Sequence, residues 1–393
     1  MEKEKNSKSG FIMLCLFYTF YYMGSGVYTY LSVYLKSGPG FDTDQIGILL
    51  ALGQIVAMFS PYFWGLAADK AKNRNTIWII VVSMAVITAI FIPQSNSFIY
   101  VACILIIMNL FHPSILAMAE SVSAELCTKN GWSLANTRLM GTLTYAASTF
   151  LVGYIFVGDE PAIFYIFAVI FAISLVPIYF TPKVAGYQSG KNRVPYRKLF
   201  TNKKLVTLYI LCAVVYLTTS FYYSFFSVYF ISEEVGGTTS QFGLCNGLAS
   251  VAEFAGLIFS AKYIKKYGAE KTIIVSIAFL ALRWLLIGLV PNPIALIFIN
   301  MLHGCSYGVF AIACSVYIDK YVQPEFKASG HAFNTLLSMG LMRAIASFTG
   351  GFLAKAIPYT TIFISMGVII AVATVVYAMK VVKDGKTEDK ITA

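Results

Sequence analysis

Six ionisable side chains lie inside stretches otherwise made of apolar residues: Glu120, Arg138, Glu253, Arg283, His303 and Arg343. An ionisable group at bilayer depth costs at least ~2.5–3.5 kcal/mol, so each carries a functional hypothesis by default. The arginines cannot shed their charge and need carboxylates or a wet cavity. Glu120 and Glu253 are the deeply placed acids, because Glu125 and Asp319 fall near the ends of their runs. An acid beside a guanidinium can hold and release a proton, since neighbouring charge and desolvation act on it in opposite senses. A histidine such as His303 can relay that proton or hydrogen-bond a polar solute. Enzymatic chemistry is poorly served. The three histidines are scattered, and there is no HExxH, no Gly-rich phosphate loop and no GxSxG. No catalytic residue, metal ligand or cofactor is expected, the proton apart.

These charges are positioned by runs long enough to cross a membrane. The 393 residues are 58% hydrophobic and 12% charged, far from a soluble domain's roughly 25% charged. Apolar runs of about 20 residues recur, each sufficient to span a hydrocarbon core of ~30 Å as a helix. We read spans near 11–35, 46–68, 75–93, 97–126, 135–158, 161–181, 204–231, 240–263, 271–290, 293–322, 328–355 and 359–382. The fold class expected is an all-α integral membrane protein of twelve helices.

A net charge of +11 is compatible with a polyanionic partner, but its distribution argues otherwise. Alternate inter-span segments hold nearly all the bases, among them Lys70, Lys72, Arg74, Lys198, Lys203, Lys265, Lys266 and Lys383. The opposite side holds Lys36 and Lys355 with Asp42, Asp44, Asp159, Glu160, Glu233 and Glu234. The positive-inside rule places both termini in the cytoplasm. The bilayer is the expected partner, nucleic acid is not, and the cell membrane is the expected location.

Residues 182–204 form the longest polar interior segment. They separate an N-terminal half (1–181) from a C-terminal half (205–393), six spans each, and read as a cytoplasmic linker. QIGILLALGQIVAMFSPYFWGLAADKAKNRNTI, from Gln45, aligns without a gap on QFGLCNGLASVAEFAGLIFSAKYIKKYGAEKTI, from Gln241, an offset of 196 residues. A duplicated six-span unit with a site near the midplane is the plan of many secondary transporters.

The loop GLAADKAKNR, with Gly65, Asp69, Lys70 and Arg74, resembles the signature between helices 2 and 3 of the major facilitator superfamily. It departs at Lys72, where that signature has a second glycine; the repeat retains the glycine as Gly268 and replaces Asp69 by Lys265. The resemblance implies that these four residues serve gating. The stretches AESVSAEL, TRLMG, ALRWLLIGL and MLHG are similar to the lactose-permease-like branch: oligosaccharide:proton symporters and their nucleoside and phenylpropionate relatives. It implies a sugar clamp of Glu120 and Arg138, eighteen residues apart, with Tyr145 where the branch stacks the sugar on an aromatic ring. It also implies that Arg283 and His303 belong to the coupling site. Ser306 stands where the sugar permease carries its proton on glutamate. Glu253 is the nearest replacement, expected to hold Arg283 at depth, and His303 serves either the proton or the substrate.

The expectation is therefore a secondary active transporter, a functional monomer, that moves a sugar or small oligosaccharide with a proton by alternating access. A nucleoside or aromatic-acid proton symporter is the alternative, and a transport-inactive membrane sensor is the reading from another class. Fixed structural ion pairs compete with the functional reading at Glu120–Arg138 and at Glu253–Arg283. Arg343 pairs with Glu253 or faces an anionic substrate. The aromatics crowding the first and seventh spans are read mostly as lipid-facing, and the seven cysteines as packing residues.

Overall fold

In the computed structural model, residues 2–155, 161–186, 202–323 and 327–392 are described, and every regular element among them is helical. In lipid each backbone N–H and C=O must be bonded within its own segment, which a helix achieves. The first six helices are α1 (Ser9–Ser37), α2 (Thr43–Lys70), α3 (Arg74–Gln94), α4 (Phe98–Asn130), α5 (Leu134–Ile155) and α6 (Ala162–Phe180). After α7 (Lys203–Ile231), one helix of 51 residues, Thr239–Leu289, is broken at Gly268. It supplies two elements, α8 (239–267) and α9 (269–289). The set ends with α10 (Pro293–Tyr321), α11 (Ser329–Ala356) and α12 (Tyr359–Lys383). Among the described residues this makes twelve helices, the number expected; ten helices, with the 51-residue one counted once and α5 not among them, are long and apolar enough to cross a membrane. Residues 156–160 and 187–201 lie outside the described residues, and with them most of the expected linker at 182–204.

The chain divides into two compact units, Met1–Asn192 and Arg193–Ala393. In the first, α1 packs on α5 and α6, α2 on α4, and α3 on both α4 and α6. In the second, the long α8–α9 element packs on α10 and α12, and α11 lies on α7.

Duplication extends to hydrogen bonds. Gln45 Oε1 accepts from the Asp42 N–H at 3.0 Å, and at the same offset Gln241 Oε1 accepts from Thr238 N–H at 3.0 Å. Thr238 Oγ1 in turn accepts from Gln241 N–H at 3.2 Å. Each is a capping box that satisfies N-terminal donors otherwise orphaned. The glycine that distinguishes the two loops also has a physical reason. Gly268 adopts φ 81°, a region that favours glycine. The first half instead breaks at Ala71, whose φ −74° and ψ 147° are ordinary extended backbone. Lys72 therefore does not need to be glycine.

The aromatic residues of α1 and α7 correct one expectation. Phe17, Tyr18, Tyr30, Tyr216, Phe221, Tyr222, Phe225 and Phe226 are buried inside their own units. Phe17 meets Trp78 edge-on at 4.4 Å, and Tyr222 stacks on Phe226 at 4.5 Å. They fill the units' cores instead of facing lipid.

Candidate functional site

The second unit gathers polar groups where α7, α8, α9 and α10 meet. What permits it is the crossing of α8 and α10. A Cβ built on Gly256 would lie 1.7 Å from the carbonyl oxygen of Gly304, and one on Gly304 would lie 2.1 Å from the oxygen of Ala252. Backbone meets backbone there, and Glu253 and His303 flank the contact. Helix α10 is discontinuous at the same level. Pro293–Asn300 is α-helical, Met301–Cys305 is a 3-10 turn, and Ser306 leaves helical geometry at φ −104°, ψ −94° before Tyr307–Tyr321 resumes. Broken helices line the sites of many carriers. Ser306, which stands in the place of the permease glutamate, is the hinge of this break. Its N–H donates to His303 O at 3.2 Å.

Arg283 on α9 is completely buried. Its Nη1 donates to Nδ1 of His303 at 2.8 Å, and its Nη2 donates to Oδ1 of Asn300. The guanidinium also lies over the rings of Tyr222, at 4.4 Å, and Trp284, at 4.9 Å. Such cation–π contacts strengthen when desolvated. Asn300 Oδ1 accepts a second bond from Tyr222 OH at 2.9 Å. On its far side, His303 Nε2 lies 3.4 Å from Glu253 Oε2 and 3.5 Å from Tyr223 OH. The order in space is Asn300, Arg283, His303, Glu253. The direct Glu253–Arg283 pairing expected from sequence is replaced by one mediated through His303, with the arginine held mainly by neutral acceptors and aromatic rings.

Arg343 sits on α11 just beyond a π-helical stretch, Leu336–Leu341, and its guanidinium carbon lies 6.0 Å from the ring of Tyr223. The sequence does not single out Asn300, and it marks Tyr222 and Tyr223 only as members of the aromatic crowd of the seventh span. Asn300 did carry a signal: it is an amide within IFIN, one helical turn before His303.

In the first unit, Tyr145 OH and Thr29 Oγ1 are 3.1 Å apart, joining α5 to α1. Glu120 is partly buried on α4, whereas the side chain of Arg138 lies outside the described residues. His112 is enclosed by Tyr28 (4.7 Å), Phe167 (5.4 Å) and Phe171 (5.8 Å).

At the α2–α3 turn, the buried Arg74 reaches Asp69 at 4.0 Å and Glu125 at 3.5 Å, and it donates to Ser121 Oγ at 3.0 Å. Asp69 and Lys70 are exposed, and Gly65 has open space around it. The 196-residue offset carries Arg74 onto Glu270. Glu270 accepts from Lys320 Nζ at 2.7 Å and from Tyr321 OH at 2.8 Å. Both halves therefore clasp their third helix to their fourth at the same place, with the charges exchanged.

Residues 11–365 match the family described as MFS_1 like family. The chain is 22% identical over 377 residues to the uncharacterized transporter YwbF of Bacillus subtilis, covering 94% of each. It is 21% identical over 345 residues to the maltose permease of Geobacillus stearothermophilus, covering 86% of each. A third relative is the nucleoside permease NupG of Escherichia coli, 21% identical over 347 residues, with 82% of this chain and 81% of that one aligned. The crystal structure of a NupG mutant superposes with a TM-score of 0.85 at 18% identity, covering 94% of this chain and 99% of the other.

Proposed function

The chain belongs to the MFS_1 like family, and from that membership we propose that it is a proton-coupled secondary transporter of a small polar solute, working by alternating access. The observation that carries this reading is the continuous chain Arg283–His303–Glu253 in the second unit. A guanidinium can only donate, so Nδ1 of His303 accepts and the ring's single proton sits on Nε2, toward Glu253. A second ring proton would require Arg283 to let go. The group free to take a proton is Glu253. Ionised, it attracts the Nε2–H across 3.4 Å and is tied through the imidazole to the arginine; protonated, it loses that attraction and gains a proton to donate. Two protonation states thus favour two hydrogen-bond patterns, which is the differential interaction a coupled carrier needs.

Glu120 and Arg138 are assigned to gripping substrate hydroxyls, and Tyr145 to presenting an aromatic face. Gly65, Asp69, Lys70 and Arg74 are assigned to the gate. A sugar or small oligosaccharide as substrate is supported by the maltose permease relative and by the spacing of Glu120 and Arg138. A nucleoside is supported by NupG and by Ser306 in the place of the permease glutamate. The distribution of bases supports cytoplasmic termini in a cell membrane, and one chain holds all the assigned residues, which supports a functional monomer.

The test is Glu253→Gln in liposomes. Uphill accumulation driven by a pH gradient should disappear while solute exchange at equal pH persists. Intact pH-driven uptake in that variant would refute the coupling role.

A further inference from the structure

The site has a surplus positive charge. Glu253 is the carboxylate of the cluster, and through His303 it serves Arg283. Arg343 has no such partner: among the described residues no carboxylate lies within ion-pair distance of it, and its contact is the ring of Tyr223 at 6.0 Å. It is nonetheless held in place. The preceding π turn, Leu336–Leu341, inserts a residue relative to an α-helix, and one residue corresponds to a rotation of about 100°. Tyr223 in turn lies 3.5 Å from His303 Nε2, and its ring meets that of Tyr307 edge-on at 6.1 Å. The helix distortion thus brings a permanent cation to the rim of the coupling site, where Tyr223 is 45% exposed and the Glu253 side chain 33% exposed. A guanidinium cannot be discharged by giving up its proton, and leaving it uncompensated at this depth is costly. A planar carboxylate matches its donor fork.

We propose that the transported solute carries a carboxylate, which Arg343 receives beside Tyr223. This rests on the transport reading above and narrows its substrate to acidic members, such as a sugar acid or a ring-bearing monocarboxylic acid. The solute would complete the charge balance only while bound. A charge-assisted hydrogen bond in a desolvated site contributes enough to separate an acid from its neutral isostere by about tenfold or more.

The experiment uses the full-length purified protein and thermal-shift titration with matched pairs: glucuronate against glucose, orotidine against uridine, and 3-phenylpropionate against 3-phenylpropionamide. At least one acid should bind about tenfold or more tightly than its neutral partner. Arg343→Gln should abolish that preference, and Arg343→Lys should keep part of it. Equal or tighter binding of the neutral partners to the unaltered protein overturns the inference, as does failure of every acid to bind or an undiminished preference in Arg343→Gln. Uptake of a neutral solute that is lost in Glu253→Gln but indifferent to Arg343→Gln would leave the transport reading standing and the carboxylate assignment refuted. Absence of any pH-driven uptake, with the acids binding as expected, would instead strike the transport reading alone.

Discussion

Substituting alanine for Gly256 is the most demanding check on the site's construction. The new Cβ would start 1.7 Å from Gly304 O and 2.6 Å from the Gly304 carbonyl carbon. Both are backbone atoms, so no side chain can swing aside. Restoring an ordinary contact of about 3.4 Å requires α8 and α10 to part by about 1.7 Å, an overpacking that costs about 1–3 kcal/mol. The same displacement would carry Glu253 Oε2 from 3.4 Å to about 5 Å from His303 Nε2, beyond hydrogen-bond reach. Gly256→Ala should therefore lower the unfolding midpoint by several degrees and uncouple transport from the pH gradient, leaving solute exchange measurable. Gly65→Ala, which has open space around it, is the thermal control. Midpoints come from thermal unfolding in detergent, coupling from pH-jump uptake in liposomes. A Gly256→Ala protein with the original midpoint and full pH-driven uptake would refute the close crossing and the siting of the proton beside it.

Two further outcomes are expected. Asn300→Ala removes the acceptor shared by Arg283 Nη2 and Tyr222 OH; loss of the bond to the buried guanidinium alone should destabilise by about 1–3 kcal/mol, and an unchanged midpoint would contradict the arrangement. Reversing the α9–α10 clasp with Glu270→Lys should slow transport, whereas adding Lys320→Glu should restore it. Lys320 is more than half exposed, so the stability change should stay within about 1 kcal/mol, and failure of the double variant to recover would show that the pairing is not what matters.

Much of this was readable from residue order. Run length gave the twelve helices because lipid leaves the backbone no alternative to internal bonding. The repeat beginning at Gln45 and Gln241 reappears as two capping boxes. Glu253, Arg283 and His303 were conspicuous because charge among apolar neighbours is expensive. Their order in space was not readable. It depends on the 3-10 turn at Met301–Cys305, which re-aims His303 between the other two. Arg343 was unplaceable for a similar reason: the π turn before it shifts the helical register from which a facing direction would be inferred. The burial of the α1 and α7 aromatics was hidden because a helix apolar on all sides has no polar face to mark its outside.

The exchanged charges of the two clasps bear on how a duplicated chain avoids confusing its own parts. The 196-residue repeat carries α2 and the start of α3 onto α8 and the start of α9, and in each half the third helix packs on the fourth, so a nascent chain could dock α3 onto α10 in place of α4. That mistake would set Arg74 against Lys320, and the reciprocal one would set Glu270 against Glu125. Like would face like in both. Opposite polarity at one homologous position therefore tilts each half toward its own helices, by the roughly 1 kcal/mol that a partly exposed pair supplies.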